Sequence, residues 1–133
     1  MNSTTEILMA NFTYMQARYI LPGDYVLAYN ITTHQYQPAE VTDTYVSHHS
    51  VQYTINGILQ TSKYEPILTS NGYVKAGNLT TNDSIYNAFT GTFQKVFSIT
   101  VSYGNFTMYD YQIPPDYDFI AYVWVVYDLT IEP

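Results

Sequence analysis

One phrase occurs twice in this chain. Ile7-Leu8-Met9-Ala10-Asn11 is followed by Tyr14 and then by Ala17-x-x-Ile20-x-x-Gly23-Asp24-x-Val26. Ile67-Leu68-Thr69-Ser70-Asn71 is followed by Tyr73 and then by Ala76-x-x-Leu79-x-x-Asn82-Asp83-x-Ile85. The copies stand 59 residues apart at Ala17 and Ala76. A repeat of that length is a duplicated supersecondary unit, and two copies in one chain imply a pseudo-twofold frame.

The residues between the landmarks say what the unit is made of. Tyr, Thr, Val, Ile and Phe dominate, and turn signals recur at Pro22-Gly23-Asp24, Asn56-Gly57, Asn71-Gly72, Asn82-Asp83, Gly104-Asn105 and Pro114-Pro115. Short strands separated by turns give an all-β domain. Val51-Gln-Tyr53-Thr-Ile55 alternates before Asn56-Gly57, a strong hairpin turn. No window holds apolar residues at helical spacing for three turns, so helix should be scarce. Each copy reads as a strand, a turn, and a short Ala-x-x-Ile/Leu segment forming one helical or 3₁₀ turn before a second strand. No linker divides the chain, so residues 1–133 should be a single domain. The apolar run from Phe119 to Val126 is less than half a membrane span and reads as a buried strand.

Four basic residues, Arg18, Lys63, Lys75 and Lys95, face eleven acidic ones, for a net charge of −7. No basic face can be assembled from four cations, which argues against nucleic acid and against anionic membrane surfaces. Cysteine is absent, removing disulfides, thiolate nucleophiles and Cys-ligated zinc together. No basic segment followed by an apolar one opens the chain, so a signal peptide should be absent or already removed.

Six Asn-x-Ser/Thr triplets begin at Asn2, Asn11, Asn30, Asn78, Asn82 and Asn105, where composition alone predicts about two. They point to a glycosylated surface, extracellular or on a virion, although Asn and Thr also crowd together in turns.

The order and spacing of several motifs resemble the Hint fold, shared by inteins and the autoprocessing part of Hedgehog proteins. Thr5-Glu6-Ile7-Leu8-Met9-Ala10-Asn11 is similar to the opening block of that family, and Ile20-Leu21-Pro22-Gly23-Asp24-Tyr25-Val26-Leu27 to its continuation. Ser62-x-x-Glu65-Pro66 stands where the family carries Thr-x-x-His-Pro. Tyr109-Asp110-Tyr111-Gln112-Ile113 through Asp116-Tyr117-Asp118-Phe119-Ile120-Ala121 resembles the late block, and Val125-Val126-Tyr127-Asp128 the closing Val-Val-His-Asn. The resemblance covers almost the whole chain and implies a horseshoe-like β domain with pseudo-twofold symmetry.

It also implies a chemistry, the cutting or splicing of the protein's own backbone, that can be tested position by position. The nucleophile position falls on Met1, whose thioether has no proton to lose and forms no stable acyl intermediate. Ser3 and Thr4 are hydroxyls displaced from that position. The proton-donating His falls on Glu65, which could serve if burial raised its pKa but reads more simply as a surface or turn carboxylate. The late His falls on Tyr117 and the penultimate His on Tyr127, and a phenol is a poor proton shuttle at neutral pH. The Asn that cyclises falls on Asp128. Asp110 keeps a functional residue of the late block, or accepts backbone amides at a strand end, and Ser62 is a conservative change from Thr.

Five central positions are thus replaced by chemically weaker groups. The expectation is a catalytically silent Hint-like domain acting as a structural or binding module, with a protein or glycan partner. The alternative is a self-processing domain with altered residues. No cofactor or metal is implied. His48 and His49, with His34, could suggest a metal site, but adjacent residues on a strand point to opposite faces, so the pair cannot both chelate from one strand without a bulge and should lie at solvated or edge positions. Asp110, Asp116 and Asp118 lack the spacing of a calcium loop. The sixteen tyrosines could form a carbohydrate-binding surface, although cross-strand packing accounts for most of them. Trp124 is expected in the core or at an interface.

Overall fold

The computed structural model describes residues 1–115 and 118–127. Its first half runs β1 Glu6–Leu8, β2 Tyr14–Gln16, a 3₁₀ turn Ala17–Tyr19, β3 Tyr25–Asn30, β4 Gln35–Glu40, β5 Asp43–Ile55 and β6 Leu59–Thr61. The second runs β7 Pro66–Thr69, β8 Gly72–Lys75, a 3₁₀ turn Ala76–Asn78, β9 Ser84–Asn87, β10 Thr92–Lys95 and β11 Ile99–Gln112. A hairpin of β12 Asp118–Ala121 and β13 Trp124–Tyr127 closes the described chain. The fold is all-β, and no helix of the described residues is long and apolar enough to cross a membrane.

The repeat in the sequence is a repeat in space. In both copies a short hairpin leads into one 3₁₀ turn, whose end is closed by Ile20 N–H donating to Ala17 O in one and Leu79 N–H to Ala76 O in the other. The aspartates that follow make the same bond. Asp24 Oδ2 accepts Leu21 N–H at 2.8 Å, and Asp83 Oδ2 accepts Thr80 N–H at 2.8 Å.

The copies differ in length at their turns. Leu8 pairs with Tyr14 across the first hairpin, but Leu68 pairs with Tyr73 across the second, which is one residue tighter. Phe12 takes φ 62° in the longer turn, and Gly72 φ 89° in the shorter. The next hairpin is closed by Val41 N–H donating to Asp24 O, and its counterpart by Val96 N–H donating to Asp83 O. The second of these loops is four residues shorter.

Each half contributes one long strand to a shared ribbon. β5 and β11 pair antiparallel from Ile55↔Ile99 to Asp43↔Gln112, with β6 added beside β5. Asn56, Gly57 and Ile58 turn β5 into β6, with Asn56 and Gly57 at φ 53° and 70°, the left-handed pair that the Asn-Gly signal marks. β1, β2, β7, β8, β9, β10, β12 and β13 form an eight-stranded sheet, and β3 pairs with β4.

Two expectations are corrected here. The run Phe119 to Val126 is not one strand: it folds back at Tyr122-Val123, with Tyr122 at φ 58°, so that Ala121 pairs with Trp124. An uninterrupted apolar stretch carries no mark of a turn made without glycine. Gly104-Asn105 is not a turn between strands but an irregularity inside β11, where the register with β5 shifts between Tyr103 and Phe106.

The main core gathers equivalent positions of both copies, with Ile7 and Ile67, Ala17 and Ala76, Ile20 and Leu79, and Val26 and Ile85 all buried. Trp124 joins them. A smaller cluster on the other side collects Leu8 with Leu68, Leu27 with Tyr86 and Tyr29 with Ala88. The duplicated apolar pattern therefore fills both faces of the frame.

Candidate functional site

The amino end of the chain lies inside the fold. Met1 is fully buried, its amino group donates to Tyr109 O at 3.2 Å, and Tyr109 N–H donates back to Met1 O at 2.8 Å. Asn2 continues this extra strand, bridging to Met108 on one side and donating its N–H to Gln60 O at 3.0 Å on the other. Its side chain is spoken for as well: Nδ2 donates to Gln60 Oε1, and Oδ1 accepts Thr5 Oγ1–H at 2.6 Å.

Several of the family-matched positions are buried, as Met1 is. Asp110 follows Tyr109 on β11 and is 2% exposed; it lies within the strand rather than at its end. Ser62 follows β6, is fully buried, and its Oγ accepts Tyr64 N–H at 3.2 Å. Glu65 is also fully buried, which corrects the expectation of a surface or turn carboxylate. Its carbonyl accepts Ala76 N–H at 2.8 Å, the bond that Thr5 makes with Ala17 in the other copy. The acid of one copy thus replaces a buried hydroxyl residue of the other, and no turn signal in the sequence announced its burial.

Tyr111 reports on both carboxyl groups. Its hydroxyl donates to Ala17 O at 2.7 Å, and its pKa is held well above the ordinary phenol value, first by burial and then by Asp110 and Glu65. Burial and the two neighbouring acids both disfavour a phenolate there.

Tyr127 ends β13 beside Pro66, packed edge-on against Tyr73 with ring centroids 5.2 Å apart. Tyr73 is raised above its ordinary value by burial, then by Asp118 and Tyr127. Tyr117, Asp116 and Asp128 lie outside the described residues.

Met1, Ser62, Glu65 and Asp110 are thus all buried, with Asp110 next to the Met1–Tyr109 pairing and Glu65 and Asp110 both acting on the Tyr111 phenol. Met1, where the resemblance places the nucleophile, carries a thioether, which cannot accept an acyl group.

The histidines do not converge. His34 sits in the β3–β4 turn, while His48 and His49 lie on β5, where His49 Nε2 meets Ser47 Oγ at 2.9 Å and His48 Nδ1 faces Thr107 Oγ1. Among the described residues no group of three or more His, Cys, Asp or Glu is placed to hold a metal.

One cluster was not foreseen. The Tyr29 and Tyr86 hydroxyls lie 3.1 Å apart, and His34 Nδ1 lies 3.3 Å from the first and 3.2 Å from the second. Tyr36 and Phe89 extend the cluster towards solvent. A two-residue alternation would have flagged each tyrosine as packing, but nothing in the spacing joins β3 to β9.

No family model and no curated protein matches the chain. Solved structures do. It is similar to the intein-like domain of Clostridium thermocellum at 22% identity, covering 96% of each chain with a TM-score of 0.83. It is similar to the DnaB intein of Synechocystis sp. PCC 6803 at 16% identity, again over 96% of each chain with a TM-score of 0.83. The gp41-1 intein follows at 17% identity, 96% of each chain and a TM-score of 0.76. The chain has the intein-like Hint fold.

Proposed function

We propose that this intein-like domain has kept the scaffold of self-processing without the reaction, and acts as a structural or binding module of an exported or virion-type surface. One observation carries the reading: the side chain at the attacking position is a methionine, fully buried, whose amino group is held by Tyr109 O. A thioether has no proton to give a base and no stable acylated form. Tyr127 and Asp128 stand where the family's resemblance places His and Asn, and neither a phenol nor a carboxylate favours cyclisation at neutral pH. The surface supports the exported setting, since Asn11, Asn30, Asn78, Asn82 and Asn105 of the Asn-x-Ser/Thr triplets are all exposed.

Intact-mass spectrometry after prolonged incubation, with and without added thiol or hydroxylamine, tests this. The mass should stay constant at every pH. Loss of Leu129 to Pro133, prevented by Asp128→Ala, would overturn it.

A second reading draws on the burial of Glu65, which with Asp110 acts on the Tyr111 phenol. A desolvated carboxyl group can hold its proton to higher pH and donate it, so terminal cleavage assisted by Glu65 has a physical basis. It requires a mass loss that Glu65→Gln abolishes.

A further inference from the structure

The two copy-related hairpins, β3–β4 and β9–β10, end at one open cleft of about 400 Å³ lined by Tyr29, His34, Tyr36, Phe89, Thr90 and Gly91. That volume lies in the lower part of the ~300–1,000 Å³ range of small-ligand sites. Tyr36 packs edge-on against both Phe12, at 5.5 Å, and Phe89, at 6.3 Å between centroids. Phe89 is nevertheless 49% exposed, so its ring forms part of the cleft wall without being covered itself, and Phe12, 62% exposed, backs Tyr36 from outside the lining.

The cleft is held in shape from both sides. Asn30 Oδ1 accepts Thr32 N–H at 2.9 Å and Thr33 N–H at 3.1 Å, fixing the first tip. Asn87 Oδ1 accepts Phe89 N–H at 2.8 Å and Thr90 N–H at 3.2 Å, fixing the second. Tyr36 Oη–H then ties the hairpins together by donating to Ala88 O at 3.1 Å. A preformed site loses less entropy when a ligand binds.

We propose that this cleft binds a neutral saccharide, with the exposed phenyl and phenol faces taking the apolar face of a pyranose, and with Tyr29 and His34, the members of the Tyr29–Tyr86–His34 triangle that line the cleft, taking its hydroxyls. Among the described residues the lining carries no carboxylate, ammonium or guanidinium group, so it offers an ionic ligand no fixed counter-charge. The triangle suits a hydroxyl for a reason of proton count. Two O–H groups and one imidazole nitrogen span three edges, and no proton arrangement satisfies all three with linear bonds. With Nδ1 accepting, a phenol oxygen retains lone pairs to accept; with Nδ1 donating, a phenol O–H is left to donate. A sugar hydroxyl, both donor and acceptor, matches either state. His34 holds its place in the turn at φ 58°, a left-handed backbone that bulky side chains adopt rarely.

The inference deepens the reading of the chain as a binding module, and rests on it. Its test is an ¹⁵N NMR titration of the full chain with maltotetraose, cellotetraose and chitotetraose, alongside an anionic heparin tetrasaccharide and a proline-rich decapeptide. The expected result is saturable movement of the amides of residues 30–34 and 87–91 by at least one neutral saccharide. Phe89→Ala should weaken it about tenfold, the scale of one lost ring contact, with the rest of the spectrum unchanged. A second variant, Thr90→Arg, at an exposed lining position, should block the cleft while leaving the tyrosines and His34 in place. Immobile amides in both segments with all three neutral sugars would overturn the proposal, as would movement caused by the heparin fragment or the peptide alone. Intact mass measured on the same samples separates the two readings: a constant mass without binding removes the cleft proposal only, while a mass loss removes the silent-module reading.

Discussion

Met1 and Tyr109 exchange backbone hydrogen bonds in both directions, so the first residue of the chain is a rung of the β ladder. A chain extended upstream, with Met1→Cys to restore a thiol, places a scissile peptide at this rung. The silent reading expects no thiol-dependent cleavage at that junction, because Glu65 and Tyr127 still stand in the proton-transfer positions. Hydroxylamine-induced release of the upstream segment, followed by mass spectrometry, is the check.

Gly77 tests the packing of the second copy. A Cβ there would stand 2.9 Å from Lys63 Cβ and 3.1 Å from Lys63 O, and Gly77 N–H donates to that same oxygen. Helix propensity alone would favour alanine by about 0.5–1 kcal/mol. The clash is with a backbone-proximal atom that cannot swing away, so Gly77→Ala should destabilise by about 1–3 kcal/mol in urea unfolding. The equivalent position of the first copy holds Arg18, opposite Ser3, where Arg18→Ala should change little.

Asp24 and Asp83 accept matching amide bonds at matching places. Their alanine variants should each cost about 1–2 kcal/mol, the worth of a hydrogen bond to a charged acceptor. The double variant should show the sum, since the two sites share no partner. A large coupling in thermal or urea melts would mean that the halves do not behave as separate copies.

Alkaline pH should destabilise the fold from one direction. The folded-state pKa of Tyr111 is raised, while the unfolded phenol ionises near 10. Tyr29 is displaced the same way, by burial and then by Tyr86. A raised value contributes stability that is complete below about pH 10 and is lost as pH climbs towards the folded value. Urea midpoints should therefore hold level to about pH 10 and fall above it. Tyr111→Phe should flatten that fall while costing about 1 kcal/mol at neutral pH through the lost bond to Ala17 O.

Glycan occupancy should divide the six triplets. Asn2 has both ends of its amide engaged and is half-buried, while the Oδ1 atoms of Asn11 and Asn30 hold their own turns. Expression through a eukaryotic secretory pathway should therefore load Asn78, Asn82 and Asn105 ahead of the others and leave Asn2 bare. Mass shifts on enzymatic deglycosylation, read peptide by peptide, decide it.

The frame was legible because its rules are local and were written twice. Asn56-Gly57 demands a left-handed turn, and Ala17 and Ala76 mark 3₁₀ turns that would otherwise be unremarkable alanines. Where the rules are not local, the reading stopped short. Tyr122-Val123 turns the chain without a turn residue, held by its neighbours: Tyr122 N–H donates to Glu6 O, and Tyr14 Oη–H donates to Tyr122 O. Glu65 looked like a surface acid because a carboxylate beside proline usually is one. Its burial follows from pseudo-symmetry with Thr5, which only the three-dimensional pairing displays. The candidate positions come from the resemblance alone, and the seating of Met1 against Tyr109 depends on a ladder between residues more than a hundred apart.

The unequal turns have a wider consequence. Between the copies, length differs by one residue at Phe12 against Gly72 and by four in the β3–β4 and β9–β10 loops, while the ladder that joins the halves keeps its register through most of its length. A frame built from two like halves begins with two of every surface feature. Divergence is cheapest where no rung has to move, so the hairpin ends are free to become unlike each other while the rest stays matched. A molecule of this kind can acquire one distinctive face without losing the symmetry that folds it.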